Sequence, residues 1–61
     1  MEKMNRLKST LMARAIAEHG TTILPVTGRT TLDDCYGEDE GQLIFWYNTP
    51  DGSTHIKHAE I

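Results

Sequence analysis

Residues 42–61 read QLIFWYNTPDGSTHIKHAEI, which is the pattern of a β-hairpin. The predicted first strand, 42–48, contains an apolar run at 43–47 with three aromatic residues in a row. The next four residues, Thr49-Pro50-Asp51-Gly52, suit a type I turn followed by a left-handed glycine in a bulge. A returning run at 53–60 supplies the second strand. Any fold of this chain must bury the aromatic run against another element.

The predicted turn fixes a register that divides the hairpin side chains between two faces. One face carries Ile44, Trp46, Ile56 and His58, and the other carries Leu43, Phe45, Tyr47, His55, Lys57 and Ala59. Both faces of the first strand are apolar, whereas a sheet with one solvated face should alternate polar and apolar residues. A single helix covers only one face, so the second needs another cover, and a second subunit is the most economical one.

We expect the helix to cover the face that contains His58, which would leave that histidine partly buried and His55 at the surface. The predicted dimer contact then consists of Leu43, Phe45, Tyr47, His55 and Lys57. Aromatic residues are enriched at protein interfaces, which fits this assignment.

Residues 2–19 predict an amphipathic helix. Met4, Leu7, Leu11 and Ala15 recur at spacings of three and four and fall on one narrow stripe. Gly20 suits the left-handed position that ends a helix. The stripe predicts a helix packed on a sheet, and a helix that binds a partner is the alternative.

The middle of the chain predicts two short strands and a loop. Residues 21–27 are β-branched and apolar, with Pro25 confining the strand to an edge. Residues 29–32 predict a second short strand. Residues 33–41 hold five acidic residues and two glycines, which predicts a solvated loop anchored by Tyr36.

The 61 residues therefore predict a single domain, 1–61, of the α+β class. An N-terminal amphipathic helix packs on a three- to four-stranded antiparallel sheet that ends in the hairpin. A chain this short is marginally stable, and Cys35, its single cysteine, cannot form an internal disulfide. This favours a homodimer and a non-enzymatic interaction protein, which could also bind another protein.

The charge distribution bears on whether the protein binds nucleic acid. The net charge of −3 argues against a dedicated nucleic-acid binder. A nucleic-acid-binding or regulatory module remains possible as a second hypothesis, because basic residues lie on the helix and aromatic residues with a lysine lie on the hairpin. Its candidate residues are Lys3, Arg6, Arg14, Phe45, Tyr47 and Lys57.

A small-ligand or metal-binding protein is the third hypothesis and the least favoured. The acidic loop lacks EF-hand spacing, and His55 and His58 lie three apart on a strand, so they point to opposite faces. Neighbouring acids make Cys35 a poor nucleophile. We therefore expect no metal, no cofactor and no enzymatic activity. The sequence contains no transmembrane run and no signal-peptide pattern, and a lone cysteine fits the cytoplasm.

Overall fold

The structure is a computed structural model that describes residues 2–20 and 22–61. Its elements, in chain order, are helix α1 (Glu2–His19), a 3-10 turn (Leu32–Cys35), and strands β1 (Tyr36–Asp39), β2 (Gln42–Asn48) and β3 (Thr54–Glu60). The strands form one antiparallel sheet in the order β1-β2-β3, and α1 packs on one side of it. The predicted α+β fold, an N-terminal helix on a three- to four-stranded antiparallel sheet, is confirmed.

The apolar stripe of α1 faces the sheet. Leu11 and Ala15 are fully buried, while Met4 and Leu7 are half-buried and pack at the edge of the core. The helix ends where Gly20 takes a φ of +60° and donates its amide to the Ile16 carbonyl at 2.9 Å. This is the left-handed glycine stop that the sequence predicts.

The strand predicted at 21–27 is wrong over the described part of that range, and Thr21 itself lies outside the described residues. Leu24 pairs alone, exchanging two backbone hydrogen bonds of 2.8 Å with Asn48. Pro25 follows immediately and has no amide hydrogen with which to extend the ladder. A single bridge therefore takes the place of a strand.

The strand predicted at 29–32 is also wrong. The Arg29 amide donates to the Val26 carbonyl at 3.0 Å, closing a turn, and Leu32 already belongs to the 3-10 turn. Glycine at position 28 has a φ of +94° within this turn, so the chain reverses before a hairpin strand can form.

The acidic segment 33–41 is not the loop that its composition predicts. Its residues 36–39 form β1, which pairs with β2 so that Tyr36 lies opposite Phe45. Glu40 and Gly41 have φ values of +50° and +78°, the signature of a tight two-residue hairpin turn. The Tyr36 ring stacks on the Phe45 ring with ring centres 4.5 Å apart, as expected of an anchoring residue. Two acidic side chains do not prevent a short edge strand when its first residue reaches the core.

The register predicted for the β2–β3 hairpin is confirmed. Tyr47 lies opposite His55, and Trp46 lies opposite Ile56. Gly52 has a φ of +91° and donates to the Thr49 carbonyl at 2.9 Å, which closes the predicted turn. The buried core lies between α1, the 22–35 segment and the sheet, and it consists of Leu11, Ala15, Ile23, Cys35, Leu43, Phe45 and Tyr47.

Candidate contact surface

The inner face of the sheet, which we define as the face toward α1, is the one that contains Phe45. Leu43, Phe45 and Tyr47 are all fully buried there. Their assignment to a dimer contact is therefore wrong, because the helix already covers them. The physical reason is visible within β2: positions 43, 45 and 47 are uniformly apolar, whereas the opposite side of the strand begins and ends with Gln42 and Asn48.

The other two predicted contact residues, His55 and Lys57, also lie on the inner face and are half-buried. Lys57 forms an ion pair with Glu18 near the end of α1. His58, in contrast, is exposed on the opposite face. The expected positions of the two histidines are thus reversed, for the same reason as the aromatic residues.

The outer face, which we define as the face away from α1, carries an apolar strip along the hairpin. Ile44 and Trp46 are half-buried on β2, and Ile56 on β3 is 52% exposed. Trp46 and Ile56 lie directly opposite each other, so their side chains form one row across two strands. Helix α1 packs on the opposite face and therefore leaves this strip uncovered.

Trp46 is partly covered by the sheet itself. An added Cβ at Gly37 would lie 2.8 Å from two atoms of the indole ring. The ring therefore rests on the bare backbone of β1, in the space that any other residue at position 37 would fill. This arrangement shields the indole and leaves Ile56 as the most exposed large apolar side chain of the outer face.

Polar and charged residues surround the strip. Thr54 donates a hydrogen bond of 2.7 Å to the Asn48 side chain at the turn end of the outer face. The register places Asp39, Gln42 and Glu60 in one row at the far end, and His58 beside Ile44. An apolar centre with a polar rim is the usual organisation of a protein interface.

The basic residues of the nucleic-acid hypothesis lie on a different surface. Lys3, Arg6 and Arg14 are exposed on α1, which packs against the opposite side of the sheet. Lys8 is turned inward, with its ammonium 5.3 Å from the centre of the Tyr36 ring. Because Phe45 and Tyr47 are buried and Lys57 is paired, the structure does not bring the six candidate residues together into a stacking surface.

A polar cluster joins the end of α1 to the hairpin turn. The Nε2 atom of His19 lies 2.7 Å from the Tyr47 hydroxyl, and the rings of His19 and His55 have centres 4.3 Å apart. Thr49 donates its hydroxyl proton to Asp51 at 2.5 Å. Its oxygen lies 3.2 Å from Nε2 of His55, which must therefore be the donor in that contact.

The pKa shifts within this polar cluster fit a structural role, in which the end of α1 is held against the hairpin turn. Burial raises the pKa of the Tyr47 hydroxyl, which therefore stays protonated beside His19. The Thr49 hydroxyl, followed by the Ser53 amide, lowers the pKa of the Asp51 carboxyl. Thr49 is buried, and no buried side-chain nitrogen or oxygen among the described residues lacks a hydrogen-bond partner.

Two concave regions bear on the ligand hypothesis. The polar cluster borders a pocket of about 330 Å³. A shallow groove of about 570 Å³ runs past Ile16 and Leu32. Although the fold brings His19 to His55, no group of three or more metal-ligating side chains is arranged around an ion site within the described chain. The pair alone does not make a metal centre.

Comparison with protein-family models, with curated proteins and with solved structures found no match. Among the helices that the structure describes, none is both long enough and apolar enough to cross a bilayer. The surface therefore has to be interpreted from its own geometry.

The outer-face residues that the sequence did not identify as contact candidates are Ile44, Trp46 and Ile56. A signal for the correct assignment was present at the ends of β2. Gln42 and Asn48 share a face with Ile44 and Trp46, and polar ends are expected on the solvated face of a strand. Lys57 points to the opposite conclusion, because a lysine is not expected on the buried face of a sheet. Its ion pair with Glu18 explains why it lies there.

Proposed function

We propose that this protein is a small, non-enzymatic interaction protein that works as a homodimer, with a contact centred on Ile56 and Trp46 of the outer face. The observation that carries the proposal is the row formed by these two residues, in which Ile56 is 52% exposed. Exposed apolar strips with polar rims are typical of protein contact sites.

A second copy of the chain is the occupant that the size of the protein favours. A domain of 61 residues buries only about 60% of the surface of its unfolded chain, and such domains commonly gain stability from a partner subunit. The single cysteine is buried and free, so a disulfide does not contribute. Covering Ile56 and Trp46 would add apolar burial that the monomer lacks.

Charge argues against nucleic acid as the occupant of the outer face. The charged side chains at its far end are Asp39 and Glu60, and both are acidic. A phosphate backbone would be repelled there, since nucleic-acid sites depend on basic residues. A reducing cytoplasm is the proposed location, which fits the free thiol of Cys35.

Sedimentation equilibrium tests the proposal by comparing the wild type with Ile56→Glu and with Ile16→Glu. Ile16 is a matched control, because it is 47% exposed but lies on α1 and lines the groove beside Leu32. We expect a wild-type dimer. Ile56→Glu should weaken it at least about tenfold, which corresponds to about 1.4 kcal/mol, while Ile16→Glu should leave it unchanged.

Two results would refute the proposal. One is a wild-type chain that stays monomeric at high micromolar concentration. The other is a dimer that both variants weaken equally, since that would indicate general apolar association and no specific contact at Ile56. Circular dichroism of each variant verifies that the comparison is made between folded proteins.

A further inference from the structure

In the described part of the chain, the free edge of β3 presents a row of backbone groups without a neighbouring strand. Strand order β1-β2-β3 gives β3 a neighbour on one side only. The Thr49 amide donates to Ser53 at 3.0 Å, and the Ile61 amide donates to Gly41 at 2.9 Å. Odd-numbered residues of the hairpin therefore bond across it.

Even-numbered residues must then point their backbone groups outward. On β2 this is directly visible, because Asn48 exchanges both of its backbone hydrogen bonds with Leu24. On β3 the outward groups belong to Thr54, Ile56, His58 and Glu60. Within residues 2–20 and 22–61 none of these four has a backbone partner.

The devices that block edge pairing are fewer on β3 than on the other edge of the sheet. Natural sheets protect their edges with short strands, charges, prolines or bulges. β1 has only four residues, and two of them are Glu38 and Asp39. β3 has seven residues, pairs in continuous register without a bulge, and contains no proline. Its inward-facing lysine, Lys57, is the one such device near the centre of the strand, and its charge is paired with Glu18 within the same chain.

We infer that two copies join through β3, edge to edge and antiparallel, into one continuous six-stranded sheet. The inference rests on the proposed homodimer and specifies how its contact is built. A strand pairing with its own copy around a two-fold axis is self-complementary, so it closes as a dimer. The axis runs perpendicular to the sheet, so both copies of α1 lie on the same side.

Side chains select the register centred on Ile56. In that register Ile56 lies opposite its copy, and Lys57 lies opposite His55. The outer-face row then runs Trp46, Ile56, Ile56, Trp46 across the joint, so the two copies of the most exposed apolar side chain contact each other. A shift to the register centred on Lys57 would place two lysines opposite each other, which destabilises a pair of strands. Centring on His58 would instead place Ile56 opposite Glu60.

The test removes one outward amide and keeps the apolar strip. His58→Pro deletes a hydrogen-bond donor that points away from β2, a position where an edge strand tolerates proline. His58→Ala is the matched control, because it removes the same side chain and keeps the amide. We expect His58→Pro to weaken the dimer at least about tenfold in sedimentation equilibrium, whereas His58→Ala should dimerise like the wild type.

Hydrogen exchange on the wild type supplies a test that does not depend on a folded proline variant. Above the dimerisation concentration the Ile56 and His58 amides should exchange at least about tenfold more slowly than below it. The His55 and Lys57 amides, which already bond to β2, serve as the internal reference.

The possible failures are distinguishable. A monomeric wild type refutes the proposed function together with the edge joint. A wild-type dimer that Ile56→Glu dissociates, but whose Ile56 and His58 amides exchange as fast as in the monomer, overturns edge pairing alone. Oligomers that grow steadily with concentration also overturn it, since they would indicate an open joint between β3 and another surface.

Discussion

Replacing Phe45 by alanine should destabilise the protein severely, whereas replacing Ile56 should not. Phe45 is fully buried and stacks on Tyr36 with ring centres 4.5 Å apart. The centre of its ring lies 5.3 Å from the centre of the Tyr47 ring. Truncating a buried phenylalanine costs about 3–5 kcal/mol, because both the transfer free energy and the packing around the cavity are lost.

That cost has to be compared with the stability of the whole chain. At roughly 0.05–0.15 kcal/mol per residue, a domain of 61 residues is stable by about 3–9 kcal/mol. Phe45→Ala therefore removes between about a third of the stability and all of it. Ile56 is 52% exposed, and its truncation should cost less than about 1 kcal/mol at concentrations where the protein is monomeric.

Urea unfolding measures the difference, with circular dichroism and the fluorescence of the single tryptophan, Trp46, as independent probes. With a slope near 1 kcal/mol per molar urea, Phe45→Ala should lower the midpoint by about 3 M or more, or leave no folded baseline. Ile56→Ala should shift it by less than about 1 M. Equal shifts for the two variants, or a larger one for Ile56, would contradict the assignment of the faces.

Two pH-dependent predictions concern the hydroxyl of Tyr36 and the carboxyl of Asp51. Burial, reinforced by Asp33, raises the pKa of Tyr36 from 10.0 to about 12, so its stabilisation is complete below pH 10 and is lost as the pH rises to 12. Tyr36→Phe should therefore reduce the fall in urea midpoint between pH 10 and 12, and an unchanged slope would contradict this. Hydrogen bonds from Thr49 and Ser53 lower the pKa of Asp51 below 3.8, so its stabilisation is present above that pH and is lost on further acidification. Asp51→Asn should flatten the acid limb of the stability profile measured below about pH 4, and a profile identical to that of the wild type would refute the assigned role.

The parts of the fold that the sequence predicts well are those determined by local chemistry. The helix stop at Gly20 and the hairpin register both depend on residues within a few positions of each other. Their backbone requirements, a left-handed glycine and a specific turn, leave few alternatives. For these elements the sequence and the structure agree residue by residue.

The parts that the sequence predicts poorly depend on contacts between distant segments. β1 forms because Tyr36 reaches both Phe45 and the Lys8 carbonyl, to which its hydroxyl donates at 2.9 Å. Such long-range packing outweighs an acidic composition that favours a loop. No local sequence pattern predicts these long-range contacts. Which face of the β2–β3 hairpin is buried also depends on a long-range contact. Lys57 of β3 fits the inner face only because Glu18 lies beside it.

The three adjacent aromatic residues therefore have separate roles. Phe45 and Tyr47 belong to the core, and Trp46 rests on Gly37 at the outer face, so the aromatic run by itself does not identify the contact surface. The more informative difference lies between the two edges of the sheet. β1 is short and acidic, whereas β3 is long, regular and lacks an outward lysine. An edge with these properties invites pairing with another strand. The weaker protection of β3, together with the exposed Ile56 that it carries, makes this strand the more open edge for a partner strand.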